Sequence, residues 1–223
     1  VWTSFDGTNN RIAYQESTLT DIVHHLETHS EEIRNDYLQH ATVVQSDYDA
    51  SSGKSEHSGA LHTGSWDWHS YLLKGRVQPT FKDHFGRTAQ ILDALKDHLL
   101  TDIPFGFGFF SKLAAQSSIA AHSSPINFRL RLHLPLVVPS SKEDVGIQIA
   151  STKYHWTEGR VLVLDDSYYH AVWNNTSYER VLLLLDVWHP DVRPNERVEI
   201  VQMFQHAQEQ GWWSCSSGNA GKE

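Results

Sequence analysis

Chemistry-bearing side chains are densest in Asp165-Asp166-Ser167-Tyr168-Tyr169-His170-Ala171-Val172-Trp173, with Arg180 ten residues beyond His170. The apolar run Val161–Leu164 precedes this stretch and Val181–Leu185 follows it. Each run has the length and the β-branched or leucine-rich content of a buried strand. Two carboxylates, an imidazole and a guanidinium set between buried strands are costly unless paired or bound to a ligand. His170 is therefore read as a metal ligand and Arg180 as the seat of a carboxylate.

Arg129-Leu130-Arg131-Leu132-His133-Leu134 alternates strictly, with Arg129, Arg131 and His133 on one face and the leucines on the other. One reading is a sheet with a single wet face. The other is a polar face turned into a barrel interior that binds an anion, and two arginines with a histidine favour it over an ordinary outer strand. His122 precedes a turn, Ser123-Ser124-Pro125, at the mouth of that strand. Alone it reads as a surface histidine. Paired with His170, also at a strand edge, it can converge with it across a double sheet. Two histidines and one carboxylate form the ligand set of many non-haem iron oxygenases. The position two residues after His122, where that carboxylate usually stands, holds Ser124.

The elements that must position these groups follow from periodicity. A helix is expected over about Leu19–Gln39, with Leu19, Ile22, Val23, Leu26 and Ile33 inward, and a second over Thr88–Leu100. On the first helix His25 and His29 sit four apart, and an exposed polar face explains them better than a metal site. Gln45–Gly64 is rich in Ser, Asp, Gly and His and reads as a long mobile loop, a candidate lid. From Phe105 the pattern changes to strands: Phe105–Ser111, Ser117–His122, Asn127–Val138, Val145–Ala150, Lys153–Trp156, Arg160–Leu164, Ala171–Trp173 and Arg180–Trp188. Pro194 opens a last helix through about His206, and the tail from Ser214 reads as frayed. The expected fold is mainly β with flanking helices, a jelly-roll or cupin-like double sheet. A single domain spans 1–223: a helical and loop buttress over 1–104, the β core over 105–193, and a C-terminal helix and tail over 194–223.

Composition narrows the function. The chain has 223 residues, 39% hydrophobic and 20% charged, as suits one globular domain. A net charge of −9 argues against nucleic acid as the main partner. One cysteine, Cys215, rules out an internal disulfide and a cysteine zinc site. With no signal sequence or spanning run in view, a cytoplasmic location is favoured. The chain starts at Val1 rather than Met, which leaves a removed N-terminal anchor or targeting segment open. Asn174-Asn175-Thr176-Ser177 contains overlapping glycosylation sequons, which a turn between strands explains equally well.

Taken together, Phe110-Ser111, His122-Ser123-Ser124-Pro125, Arg129 to Leu134, Trp156-Thr157-Glu158-Gly159, Asp165 to Trp173, Arg180 and Asp186-Val187-Trp188-His189-Pro190 resemble the catalytic domain of the aspartyl/asparaginyl β-hydroxylase family, within the iron(II)- and 2-oxoglutarate-dependent oxygenases. The match is dense from about Phe105 to Arg193 and looser over the helical first half. The resemblance implies a double-stranded β-helix core, iron(II), 2-oxoglutarate as cosubstrate, and O2. It implies His122 and His170 as iron ligands, Arg180 with Ser111 gripping the distal carboxylate of 2-oxoglutarate, and Arg131 and His133 beside its keto-acid end. Asp166 reads equally as a carboxylate near the metal that orients a histidine or a bound water and as a structural turn. Asp165 reads as the turn. Ser124 and Pro135 stand where the family usually has glycine. The expected reaction is hydroxylation of an unactivated carbon, first of all the β-carbon of an Asp/Asn-like carboxylate, peptidyl or free. Another small carboxylic acid, such as a natural-product intermediate, is the alternative substrate. A lipid substrate ranks lower. A non-catalytic cupin-like binding module is the alternative of a different class.

Overall fold

The computed structural model describes residues 17–42, 44–48 and 61–212. Most of the expected mobile loop, the frayed tail and Cys215 lie outside the described residues. Two antiparallel sheets face each other, with helices packed on one of them. The strands are β1 (His62–Thr63), β2 (Trp66–Leu73), β3 (Arg76–Val77), β4 (Gly108–Leu113), β5 (Ser117–His122), β6 (Arg129–Val137), β7 (Val145–Ile149), β8 (Thr152–Tyr154), β9 (Leu162–Leu164), β10 (His170–Asn174) and β11 (Arg180–Trp188). One sheet runs β1-β5-β10-β7-β8, and the other β3-β2-β4-β11-β6-β9. The expected jelly-roll architecture is the one observed. Its sheets also recruit β1–β3 from the segment read as helices and loops. No helix among the described residues is long and apolar enough to cross a membrane.

Side-chain alternation divides the interior into two cores. Along β11, Val181, Leu183, Leu185 and Val187 pack toward the helices, while Leu182 and Leu184 pack between the sheets. Arg180 and Asp186 share the inner face of β11 by the same period of two. Along β6, Leu130, Leu132, Leu134 and Leu136 join the helix-side core. Arg131 and His133 therefore point between the sheets. The polar face of β6 is an interior, which sets aside the reading of a single wet face.

The helices explain why the outer face of the larger sheet can be so apolar. The single helix expected at the N-terminal side is two: α1 (Ser17–Thr28) and α2 (Ser30–His40). The break falls at His29 (φ −97°, ψ 9°). The His29 ring bonds the His25 carbonyl through Nδ1 at 2.8 Å, and the same oxygen takes the His29 N–H at 3.2 Å. His25 in turn bonds the Ile91 carbonyl through Nε2 at 3.1 Å, so this pair anchors the helix rather than lying on a solvated face. The helix expected over Thr88–Leu100 is shorter and shifted. Here α3 (Pro79–His84) and α4 (Gly86–Asp93) are followed by a 3-10 turn, Lys96–His98, that still buries Leu95 and Leu99. Pro79 at the first turn of α3 suits a helix start. The last helix, α5, runs Pro194–Glu209, three residues past the expected end.

Two local features bear on the site. Pro135 sits on β6 just past the end of β9, which pairs only as far as His133. The β6–β11 register slips there, with Leu182 opposite Pro135 and Val181 opposite Val137. A residue without a backbone N–H is tolerated at such a bulge beside a free edge. Asn174 is fully buried. Its Nδ2 donates to the carbonyls of Leu113, Ala114 and Tyr178, and its Oδ1 accepts from Thr176. The first sequon asparagine is thus a structural turn residue.

Candidate active site

The two candidate metal ligands meet because their strands are antiparallel neighbours. His122 ends β5, His170 begins β10, and the two are paired across the ladder. Their ring centroids lie 4.2 Å apart. His122 Nδ1 bonds the Ala120 carbonyl at 2.8 Å, and His170 Nδ1 bonds the Tyr168 carbonyl at 2.9 Å. A carbonyl only accepts, so each Nδ1 carries the proton and each Nε2 presents a lone pair. Burial lowers the pKa of both rings, that of His170 to about 4, where His122 adds to the effect. Two neutral imidazoles held by backbone carbonyls suit a divalent cation. Among the described residues no third His, Cys, Asp or Glu side chain completes a cluster with them. Ser124 is occupied locally: its Oγ accepts from Ile126 N at 3.3 Å, and its N–H donates to the Asp166 carbonyl at 2.7 Å. That backbone bond ties the two histidine-bearing turns together.

A small cavity of about 30 Å³ lies between the sheets. His122, His170, Arg131, His133, Ser111 and Arg180 all line it, with apolar walls from Ile119, Ile147, Val172, Leu182 and Leu184. All six side chains singled out from the sequence as metal- or cosubstrate-binding are therefore brought together. Arg180 lies 1% exposed. It forms no ion pair among the described residues. Its Nη1 donates to the Ser111 carbonyl and Oγ, both at 3.3 Å, and its Nε has no hydrogen-bond partner. Burial alone pulls its pKa down to about 9. Ser111 Oγ also accepts from Trp66 Nε1 at 2.9 Å. With its oxygen accepting from two donors, the Ser111 hydroxyl proton is left to donate. A buried guanidinium with no counter-ion among the described residues, beside a hydroxyl left to donate, has the chemistry to accept a carboxylate.

Asp166 does not contact either histidine through a hydrogen bond among the described residues. It belongs to a four-charge network. Arg129 donates to Asp166 through Nε at 3.2 Å and Nη2 at 2.6 Å, and to Asp186 through Nη1 at 2.8 Å. Arg131 donates to Asp186 through Nε at 2.7 Å and Nη2 at 2.9 Å, and its Nη1 lies 3.2 Å from Asp166. Topology builds the network: Asp186 pairs with Arg131 across β11 and β6, and β9 delivers Asp166 next to Arg129. Arg129 also donates to the Phe105 carbonyl, and Asp186 Oδ2 accepts from Phe107 N at 3.2 Å. Arg129 and Asp186 were not singled out from the sequence as site residues. The available signal was a carboxylate late in an apolar run that follows Arg180, which implies a buried cation beside it. Asp165 is a turn residue, as expected, accepting from Ser167 N at 2.9 Å.

Burial raises the pKa of Asp166, but Arg131 and Arg129 outweigh it and hold the carboxyl at about 2. A depressed carboxylate contributes stability above the unfolded value of about 3.9 and loses it as pH falls toward the folded value. The melting temperature should therefore drop steeply between about pH 4 and pH 2. In Asp166→Asn the same titration should be flatter, and an unchanged slope would remove Asp166 from the acid transition.

The sequence model of the aspartyl/asparaginyl β-hydroxylase family matches residues 27–190. The mouse protein aspartyl/asparaginyl beta-hydroxylase is 33% identical over 134 residues, covering 60% of this chain and 18% of that protein. Human aspartate beta-hydroxylase domain-containing protein 2 is 34% identical over 147 residues, covering 64% of this chain and 39% of that protein. The ornithine lipid ester-linked acyl 2-hydroxylase of Rhizobium tropici is 40% identical over 81 residues, covering 36% of this chain and 29% of that protein. The chain thus spans well under half the length of each of these relatives.

Proposed function

Since the chain belongs to the aspartyl/asparaginyl β-hydroxylase family, we propose that it is an iron(II)- and 2-oxoglutarate-dependent dioxygenase that hydroxylates an unactivated carbon. The observation that carries this reading is the pairing, in one cavity, of two Nε2 lone pairs with a buried guanidinium that has no counter-ion among the described residues. A keto acid with a second, distal carboxylate satisfies both. Iron(II), with 2-oxoglutarate and O2, supplies the oxidising power for C–H hydroxylation, leaving succinate and carbon dioxide.

In this reading His122 and His170 hold the metal through Nε2, with their rings oriented by the Ala120 and Tyr168 carbonyls. Arg180 and Ser111 bind the distal carboxylate. Arg131 and His133 face the keto-acid end. Two N–H groups of Arg131 are spent on Asp186 and its Nη1 lies 3.2 Å from Asp166, so the guanidinium is held rigidly and needs no reorganisation when a carboxylate arrives. Asp166 acts through the arginines rather than on the metal. The apolar walls keep water from the buried charges and strengthen every interaction inside. The whole chain is taken as a single oxygenase domain.

The leading substrate is the β-carbon of an Asp/Asn-like carboxylate, peptidyl or free. A second reading is hydroxylation of an acyl chain beside its carbonyl, favoured by the 40% identity over 81 residues with a lipid 2-hydroxylase. Succinate release in the presence of Asp- or Asn-containing peptides, short acids or acyl substrates separates these. No succinate with any of them, despite tight cosubstrate binding, would favour a binding module.

The direct test is anaerobic addition of iron(II) and 2-oxoglutarate, followed by visible absorbance. Wild type is expected to give a metal-to-ligand charge-transfer band. His122→Ala and His170→Ala should weaken metal binding by more than about 100-fold, since groups that merely orient a ligand are worth 10–100-fold. A wild-type band that survives both substitutions would remove these residues from the metal.

A further inference from the structure

Trp156 touches both halves of the anion site. Its Nε1–H donates to His133 Nδ1 at 3.3 Å, and the Arg180 guanidinium lies 5.1 Å from its ring centroid. Trp156 is buried and lines the cavity. It stands just after β8, on a turn tied to β6. Gly159 N donates to the Pro135 carbonyl at 2.9 Å, and Val138 N donates to Glu158 Oε1 at 2.7 Å. The turn thus fixes the indole against the strand that carries His133.

An indole nitrogen only donates. His133 Nδ1 must therefore accept, and a neutral His133 must carry its proton on Nε2. Burial, then Arg131 and Arg180, hold the pKa of His133 well below the ordinary value, so the ring is neutral near pH 7. An imidazole free to choose would divide itself between a donor and an acceptor at Nε2. A carboxylate in the cavity can use only the donor. The ring face of Trp156 also offers the Arg180 cation a favourable electrostatic surface where no carboxylate side chain among the described residues pairs with it.

Resting on the cosubstrate reading above, we propose that Trp156 is a positioning residue of the 2-oxoglutarate site, fixing His133 as an Nε2–H donor and seating the Arg180 guanidinium against its ring before ligand arrives. Such preorganisation lowers the ordering cost of binding.

Trp156→Phe keeps an aromatic face for Arg180 and removes the N–H, so it isolates the link to His133. Two readouts separate the inference from the reading beneath it. The first is the ¹⁵N spectrum of histidine-labelled, ligand-free protein, with His133 assigned by its loss in His133→Gln. Wild type is expected to show His133 protonated at Nε2, and Trp156→Phe a mixture of tautomers. The second is anaerobic 2-oxoglutarate affinity with iron(II), where Trp156→Phe should bind about tenfold more weakly, the scale of one hydrogen bond. Wild type that binds, with the variant unchanged in both tautomer and affinity, overturns the inference alone. Wild type that does not bind 2-oxoglutarate overturns the cosubstrate reading and the inference with it. If Trp156→Phe does not fold, the wild-type spectrum decides: a proton on His133 Nδ1 overturns the inference, and a proton on Nε2 supports it.

Discussion

Arg180→Met should raise the melting temperature of the ligand-free protein while abolishing its stabilisation by 2-oxoglutarate. Arg180 is buried to 1% exposure and has no carboxylate partner among the described residues. Burial depresses its pKa from 12.5 to about 9. For a base, that shift means the folded state resists the charge. The penalty is present in full at pH 7, where the guanidinium stays charged. Methionine fills much of the same volume and carries no charge. Replacing poorly compensated buried charge with a packed apolar group commonly stabilises by about 1–4 kcal/mol. In a chain of this size each kcal/mol moves the melting temperature by roughly 2–4 °C. Wild type at a cosubstrate concentration about 100 times Kd should gain about 2.7 kcal/mol, and the variant nothing. A variant that melts several degrees lower and still responds to 2-oxoglutarate would put the carboxylate seat elsewhere.

Asp186→Ala should do the opposite, at greater cost. Asp186 has no exposed surface and accepts from Arg129, Arg131 and the Phe107 amide. Removing it leaves two buried guanidinium groups sharing one carboxylate, Asp166. Breaking a buried pair by deleting one partner typically costs about 3–5 kcal/mol. The melting temperature is expected to fall by roughly 6–20 °C, at about 2–4 °C per kcal/mol. Denaturant unfolding should show the loss in the midpoint. A change within about 0.5 kcal/mol, the range of ordinary surface substitutions, would mean the network is dispensable.

Contrasting fates await these two charged residues, although they lie six positions apart on one face of one strand. Sequence alone marks both as charge within an apolar run. It does not tell which is paired, because pairing depends on register: Arg131 stands opposite Asp186, whereas Leu113 stands opposite Arg180. For the same reason Arg129 and Asp186 were legible only as alternation and as an odd residue in a hydrophobic run. Strands with long, unbroken patterns were read to their ends, as at Ser117–His122 and Arg180–Trp188. The helices were read less well. The break at His29 arises from a side chain competing for a backbone carbonyl, and the hydrophobic stripe runs through it unchanged. Trp66–Leu73 lies in the segment read as helices and loops, yet it forms a strand of the larger sheet. Trp66-Asp67-Trp68-His69 alternates, but the alternation is lost at Ser70-Tyr71-Leu72, where the β2–β4 register slips. From the sequence, His122 and His170 are expected to converge across a double sheet, whereas they meet as neighbours within one sheet, on antiparallel β5 and β10. The carbonyls that set their tautomers belong to Ala120 and Tyr168, whose side chains give no hint of that role.

If 2-oxoglutarate is the cosubstrate, a buried cation with no carboxylate partner among the described residues would also link this protein's lifetime to metabolism. Proteolytic clearance in a cell follows the population of opened molecules. A ligand that completes the core reduces that population in proportion to its own concentration. If 2-oxoglutarate neutralises Arg180, starvation for it should shorten the protein's half-life, and abundance should follow cosubstrate supply. In Arg180→Met that dependence should disappear.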